Sequence, residues 1–589
     1  GLNSTHGKPV IAFHGLTVWC PEERTWWRRK VKPKTVILNH VSGCVKDGEF
    51  IAVIGPSGAG KTTFLVSLAG RCSLPSEGSV TVDGVDVRQL QTAVEVAPQS
   101  EVFMEELTVA EHLVFMTEMK LGSCRNPKNR ASLSKLTRAL KLDALAHTAI
   151  SGLSGGERRL LSLAFSLISS PKILICDEPT TGLDSYNAAL IIGVLKTLAS
   201  SGRVVLCSVH QPSSDLFKEF TSVMLMSEGR LLFHGTQEEC MEVFQRMNLN
   251  CPKNYNPAEF YIKSVSSAAF NDNYSKNVME NPKERSGTHE CDITGSHGDS
   301  QFNFFRRSWC MQVYLLLWRT SLTITRDIRK QLLQLIISVV RLQSLALSTC
   351  YIGVSGATQR GVQDMNGFLW LVCSEVAFSL SYNALYAFEG DLALFRREHD
   401  MYSASAYFVA RFCSLLPRCL IFPLAYVAVA AMAVELPNYL MTALEFILAL
   451  TVASVAATAY GLGMGALFTS TGAMGDVMPC ADLPLFLMSG TFLRISSLPY
   501  WLQPLKYISH FYYGMDAMSN IYWRQIGSID CPPNSTVTCI KDGSSVLIEN
   551  GYSDNFILQD TLGLTIVTLL WSLLAYWGLK REERKGYAY

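Results

Sequence analysis

The apolar positions of this chain follow two different rules in its two halves. Up to residue 262, short apolar runs (Ile51–Ile54, Ile173–Cys176, Val204–Val209) are each bounded by Gly, Asp or His, with helical stretches between them. Unbroken runs of this length, alternating with helices, predict parallel strands buried on both faces. Residues 263–301 are rich in Ser, Asn, Gly and charge and show no period, which predicts a flexible linker. Residues 302–330 mix Arg306, Arg307, Arg319 and Arg326 with Trp309, Tyr314 and Trp318, as suits a connecting helix lying in a membrane interface. From 331 to 589 the apolar runs lengthen. A membrane-crossing helix needs about 20 apolar residues. Six stretches are candidates: Leu332–Val354, Met365–Phe388, Phe412–Val434, Met441–Thr469, Val477–Leu493 and Leu562–Leu579. The fifth is short and holds Asp482 between Pro479 and Pro484. Such a broken stretch survives in lipid only beneath protein or beside a water-filled cavity.

Charge supports the division. Between Gln331 and Leu493 there are 16 charged residues in 163 and no Lys. Over all 589 residues the charged fraction is 17%, against about 25% in soluble proteins, and the mean hydropathy is +0.18. A net charge of +1 argues against a protein that binds nucleic acid mainly by charge. An aromatic content of 10% excludes a disordered chain. The 17 cysteines are scattered, and Cys350, Cys373 and Cys413 sit in apolar runs as small hydrophobes, unlike a disulfide scaffold. The chain opens at Gly1 without a signal-peptide pattern, as a fragment or trimmed chain would.

Lys and Arg flank the spans at Arg326, Arg329 and Lys330, at Arg396, Arg397 and Arg411, and at Lys580, Arg581, Arg584 and Lys585. With six spans these all fall on one side, so both termini are expected in the cytosol. The long outer loop is then 494–561. It carries the glycosylation sequon at Asn534, and Cys531 and Cys539, which can pair with each other or across a dimer. The sequons at Asn3 and Asn273 would stay cytosolic.

Gly55-Pro56-Ser57-Gly58-Ala59-Gly60-Lys61-Thr62 follows the strand Ile51–Ile54 and fits the P-loop pattern. Its glycines let backbone N–H groups cradle phosphates, and the next helix offers its positive N-terminal end. Lys61 is placed on the β- and γ-phosphates and Thr62 on Mg²⁺, with Thr63 beside them at the nucleotide. The strand Ile173–Cys176 ends in Asp177 and Glu178. Asp177 is expected to hold Mg²⁺, and Glu178 to polarise the attacking water as general base. Leu153-Ser154-Gly155-Gly156-Glu157 precedes an apolar helical run, so Ser154, Gly155 and Gly156 present N–H groups to an anion.

A P-loop, this string about a hundred residues later, and an acidic strand end about twenty beyond it together resemble the ATP-binding cassette family. The resemblance implies a cassette over 1–262 with an α/β P-loop NTPase fold, followed by an all-α six-helix transmembrane domain. It places Gln99 as the glutamine that contacts Mg²⁺ and senses the membrane domain. Gly182-Leu183-Asp184-Ser185 looks like the D-loop, with Asp184 at the nucleotide. His210 resembles the switch histidine that touches the γ-phosphate. By spacing, the family's adenine-stacking aromatic falls at Val18, with Trp19 beside it. Cassette-then-membrane order resembles the G subfamily, the White, Brown and Scarlet half-transporters. Asn256-Pro257-Ala258-Glu259-Phe260, Phe395-Arg396-Arg397-Glu398-His399 and Tyr402–Phe408 support this. Thr358–Asp364, Ile529–Pro532 and the ending Gly586–Tyr589 are most similar to the Brown type.

The resemblance implies ATP and Mg²⁺ as cofactors and no nucleic-acid partner. In the family, ATP is clamped between the P-loop of one cassette and the signature of another. One of each implies a dimer, with a White-type half-transporter as the expected partner. The implied activity is ATP hydrolysis coupled to transport, with Glu178, His210 and Lys61 as the catalytic set. Gly390–Tyr407 is the expected coupling segment. Spans two and five are expected to line the cargo path, with Phe378, Tyr382, Asn383, Phe486, Met488 and Phe492 as candidates. Arg341, Glu375 and Asp482 are ionisable residues inside spans, each costing at least roughly 2.5 kcal/mol if they faced lipid. Glu375 or Asp482 is expected to bind a polar heterocycle or to pair with Arg341. The expected cargo is a pigment precursor of guanine or pteridine type, moved across a pigment-granule, other intracellular or plasma membrane. The alternative within the subfamily is a lipid or sterol exporter. Six apolar spans exclude a soluble cassette ATPase, and intact Glu178 and His210 argue against a receptor that uses ATP only as a switch.

Overall fold

The computed structural model describes residues 9–24, 31–90, 93–99, 102–252, 255–266, 307–329, 333, 349–398, 400–468, 471–491, 495, 498–531, 539–552 and 556–584. The chain forms two compact units, Gly1–Arg307 (with Lys585–Tyr589) and Ser308–Arg584.

Among the described residues the first unit holds two large sheets and a two-stranded ribbon of Glu23–Arg24 and Val31–Lys32. Strands β1 (Pro9–Cys20), β2 (Thr35–Lys46), β4 (Ser76–Val82) and β5 (Val85–Asp86) form an antiparallel sheet in the order β2-β1-β4-β5. The other sheet has six strands in the order β10-β9-β3-β8-β7-β6. These are β3 (Phe50–Ile54), β6 (Val94–Ala97), β7 (Ile173–Cys176), β8 (Val204–Ser208), β9 (Ser222–Ser227) and β10 (Arg230–Thr236). All but edge strand β10 run parallel. Every residue of β3, β6, β7 and β8 is buried, which explains why β3, β7 and β8 read as apolar runs. Their side chains meet those of β1, β2 and helix α1 (Lys61–Leu68) in one core with Phe13 and Phe64 edge to face.

Helices α2 (Val109–Lys120), α3 (Pro127–Ala139), α4 (Gly155–Leu167), α5 (Ser185–Ser200) and α6 (Gln237–Arg246) follow in chain order. Helix α7 (Pro257–Val265) continues three residues past 262, because Tyr261 and Val265 are buried and the Tyr261 ring packs on Phe244. Most of the expected linker lies outside the described residues.

The second unit is helical. Helix α8 (Trp309–Arg326) occupies the expected interfacial segment. The long helices are α9 (Gln359–Glu398), α10 (Ala404–Ala430), α11 (Tyr439–Leu467) and α15 (Phe556–Arg584). Among the described residues these are the four long and apolar enough to cross a membrane. Of the other two expected spans, Leu332–Val354 lies mostly outside the described residues. Val477–Leu493 is represented by α12 (Thr471–Leu487), with Pro479 and Pro484 inside it. Its 17 residues rise roughly 26 Å, short of the ~30 Å hydrocarbon core.

Helix α9 runs to Glu398, ten residues past the expected end at Phe388. Its charged end is held by partners: Glu398 Oε2 accepts from Arg319 Nη1 at 2.6 Å, and Arg396 donates to Glu582 at 2.7 Å. The Arg319–Glu398 pair is buried and the Tyr402 hydroxyl donates to the same oxygen at 2.9 Å. Gln312 Oε1 accepts from the Ser403 backbone N–H at 3.0 Å, so α8 is fastened along the turn into α10. Helix α10 carries Pro417 and Pro423 in its interior. Helix α11 is pressed against both neighbours. A Cβ on Gly461 would overlap the Ser381 carbonyl of α9, and one on Gly463 would lie 2.7 Å from the Trp571 ring of α15. Small residues bring membrane helices this close.

The segment 494–561, expected as an outer loop, contains structure of its own. Helix α13 (His510–Trp523) is buried over nearly its whole length, and α14 (Gly543–Asn550) follows. Fourteen residues are too few for a span, and Asp516, Ser519 and Asn520 interrupt the apolar signal. Tyr522 Oη accepts from Gly356 N at 2.9 Å and Trp523 Nε1 donates to Asn366 Oδ1 at 2.8 Å. Cys531 and Cys539 are joined in a disulfide within the chain. Asn534 lies outside the described residues.

Candidate nucleotide site

The parallel sheet brings two of the chemical strings, the P-loop and the acidic strand end, to one edge. Strand β8 lies between β3 and β7, with Cys207 in register with Ala52 and Cys176. The chain leaving β3 is therefore one strand away from that leaving β7, both at the carboxyl ends where α/β sheets bind ligands. Gly55 and Ala59 are buried, while Ser57 and Gly58 are exposed. Gly60, at φ 91°, caps α1, and a Cβ there would sit 3.0 Å from Leu38 Cδ2. Thr62 and Thr63 are half-buried in the first turn of α1.

Lys61 is buried, and its ammonium donates to the carbonyls of Gly55 at 2.8 Å and Pro56 at 3.0 Å. Burial holds its pKa below the ordinary lysine value, and the negative charges of Glu178 and Asp177 oppose that shift.

Asp177 is 2% exposed. The Ser208 hydroxyl donates to its Oδ1, while Oδ2 is buried and receives no hydrogen bond. A buried carboxylate oxygen without a donor fits a divalent cation, so the residues present suit Mg²⁺. Glu178 stands at φ 48°, a conformation uncommon outside glycine. Its N–H donates to Ser208 Oγ at 2.8 Å. Its Oε2 accepts from Gln99 Nε2 at 2.8 Å and from Thr181 Oγ1 at 3.0 Å. His210 follows β8 and is exposed. Thus Lys61, Gln99, Asp177 and Glu178 are gathered at one place.

The signature set forms a second group. Ser154 is the N-cap of α4 in a reciprocal capping box with Glu157, whose Oε2 accepts from both the N–H and the hydroxyl of Ser154 at 2.8 Å. Ser154 and Gly155 are exposed. Gly156 is buried, and a Cβ there would stand 2.7 Å from Asn187 Nδ2. The same amide donates to Asp184 Oδ1 at 2.6 Å and holds that exposed carboxyl below its ordinary range. Asn187 therefore lies against Gly156 while its amide bonds Asp184. Val18 is fully buried and cannot stack on a base, and the Trp19 ring carries the Lys34 ammonium 4.1 Å from its centroid.

Sequence reasoning passed over Ser208, Arg159, Asn187 and the Arg158–Glu105 fork at 2.8 and 2.5 Å. All but Asn187, which also bonds Asp184 three positions away, act through residues distant in the chain. The one available signal was adjacency, since Ser208 precedes His210 and Arg159 follows the signature.

In the second unit, Phe378, Tyr382 and Phe486 stand together. Phe378 lies 5.4 Å from Phe486 and 6.4 Å from Tyr382, ring centre to ring centre. Met488 is buried, and Asn383 and Glu375 are half-buried. Asp482 is buried, and its Oδ1 accepts from Tyr460 Oη at 2.6 Å. Phe492 and Arg341 lie outside the described residues.

This arrangement defines an ATP-binding cassette ATPase in one chain with a helical membrane domain. A family model for the ABC transporter cassette matches residues 38–181, and models for ABC-2 type transporters match 311–523 and 210–285. Protein brown of Drosophila melanogaster is 29% identical, covering 100% of this chain and 99% of its own. Protein white of the same organism is 30% identical, covering 94% of this chain and 84% of its own. Protein scarlet is also 30% identical, covering 93% and 86%. The chain belongs to the G subfamily of ATP-binding cassette half-transporters, the group that holds Brown, White and Scarlet. It is an integral membrane protein that couples ATP hydrolysis to transport.

Proposed function

We propose that this half-transporter pairs with a White-type partner and moves a small heterocyclic cargo, a pigment precursor of guanine or pteridine type, across an intracellular membrane. The observation that carries the pairing is that the chain has one P-loop and one signature. The signature turn presents Ser154 and Gly155 to solvent, as a surface meeting the nucleotide of a second cassette would. The names of its relatives, which are colours, support a pigment precursor.

In this reading Gly55, Ser57, Gly58, Gly60, Lys61, Thr62 and Thr63 hold the phosphates. Thr62, Gln99 and Asp177 would hold Mg²⁺, which supplies charge neutralisation at the phosphates. Glu178 orients and deprotonates the attacking water, and His210 meets the γ-phosphate. Ser154, Gly155, Gly156 and Asp184 serve the partner's nucleotide. ATP draws the cassettes together and hydrolysis releases them, biasing a two-state membrane domain. The segment 390–407, the end of α9 and the start of α10, passes that change on, and both termini are cytosolic. Asn534 is glycosylated. Phe378, Tyr382, Asn383, Phe486 and Met488 line the path, with Glu375 or Asp482 as the polar contact.

The test is ATPase activity in lipid, for the protein alone and co-expressed with a White-type partner, with Glu178→Gln as the control. Activity that requires the partner and rises with purines or pteridines is expected. Full activity alone, abolished by Glu178→Gln, refutes the pairing and turns the cargo search to lipids and sterols. Unchanged transport by Glu375→Gln removes that residue from cargo binding.

A further inference from the structure

We propose that Arg159 is a positioning residue for hydrolysis, fixing the segments that carry Gln99, Asp177 and Glu178 in one frame from the signature helix. The inference rests on the assignment of those three as hydrolytic groups.

Arg159 lies on α4, five residues after Ser154, and is 7% exposed. A guanidinium has five N–H donors in a rigid planar fork. The bonds run to five backbone carbonyl oxygens. Nη1 donates to Pro98 and Gln99, both at 2.9 Å. Nη2 donates to Asp177 at 2.9 Å and Glu178 at 2.7 Å. Nε reaches Pro179 at 3.4 Å. These carbonyls belong to two segments, the exits of β6 and β7.

The side chains on those segments are the ones whose mutual geometry matters. The Gln99 amide bonds the Glu178 carboxylate, and Glu178 is held at a positive φ with its N–H on Ser208. Arg159 takes the carbonyls of both partners of that bond. A lysine could not reproduce this, because its three donors radiate from one atom. The same α4 begins at the signature turn, so a displacement of Ser154 is carried along one helix to the acids. Arg159 touches no reacting atom in this role, and its effect is on the placement of groups that do.

The experiment uses the full chain in lipid with whichever partner arrangement yields ATPase activity. Arg159→Lys is compared with the parent in ATP titrations, Mg²⁺ titrations and counts of ATP-analogue sites per protein. The expected result is a KM for ATP within about threefold of the parent, a kcat about tenfold lower or more, and a half-saturating Mg²⁺ concentration about threefold higher. A kcat within about twofold of the parent overturns the proposal. So does a kcat loss equal to the loss of nucleotide sites with an unmoved Mg²⁺ midpoint, which marks support of the fold alone. If Arg159→Lys does not fold, Arg159→Ala with millimolar guanidinium decides: a rise in kcat of about threefold at constant KM supports positioning, and no rise overturns it. Glu178→Gln, run alongside, separates the claims. Full activity there removes the hydrolytic assignment, whereas its loss beside an unaffected Arg159→Lys removes only the role of Arg159.

Discussion

Ser208→Ala is the sharpest perturbation the cassette offers. This hydroxyl donates to Asp177 Oδ1 and accepts from the Glu178 N–H, so one atom holds both acids at the end of β7. Ser208 is itself fully buried, so water does not simply replace it. A hydrogen bond to a charged group is worth about 1.5–3 kcal/mol, which expressed in the transition state lowers kcat roughly 10- to 150-fold. The orphaned Glu178 N–H adds a stability cost of about 1–3 kcal/mol. ATP affinity is expected to hold, because the P-loop contacts are untouched. The assay is steady-state ATPase in lipid beside an ATP-analogue titration, with Ser208→Thr as the variant that keeps the hydroxyl. A Ser208→Ala protein with the parent's kcat refutes the reasoning. So does a Ser208→Thr protein that folds, binds ATP and is as slow as the alanine variant.

Three further outcomes follow from the same geometry. Lys61→Ala removes a buried ammonium from the loop carbonyls, and hydrolysis is expected to fall by about 10²-fold or more, read as phosphate release. Gly461→Leu drives a side chain into the Ser381 carbonyl. Overpacking of this kind costs about 1–3 kcal/mol or more, so the yield of monodisperse protein on size exclusion should drop. Gly193→Ala, at a helix position with open space around it, should leave that yield unchanged. Cys531→Ser opens a disulfide with a sequence separation of 8. The chain-entropy estimate for so short a loop is roughly 2–3 kcal/mol, seen as a lower thermal midpoint that reductant no longer changes.

What could be read in the sequence is what lies close together along it. The P-loop declares itself because its glycines, Lys61 and the preceding strand are neighbours in the chain. The Asp177–Glu178 pair is legible for the same reason. Ser208 and Arg159 are not, since a serine in a strand and a second arginine in a helix look ordinary until the fold brings distant backbone to them. The long helices were legible in the middle and poor at the ends. Hydropathy detects the apolar part of α9 and stops at Phe388, although Arg396, Arg397 and Glu398 stay helical. Helix α13 was missed because its burial comes from neighbours such as Gly356 and Asn366, which no local window contains. Val18, where spacing puts the family's adenine-stacking aromatic, is buried in the core beside β1's neighbours, and the Trp19 ring next to it carries the Lys34 ammonium.

The glycines of α11 have a mechanical consequence. Where backbone lies directly against backbone or ring, no flexible side chain remains between helices to act as a bearing. Gly461 and Gly463 thus join α9, α11 and α15 into a single strut, and sliding one past another would mean lifting those contacts first. Helix α10 is built the opposite way, since Pro417 and Pro423 each remove a backbone hydrogen bond and soften the helix where they stand. The bundle has a stiff member and a compliant one side by side, and bending is assigned to the second by the chemistry of two residue types.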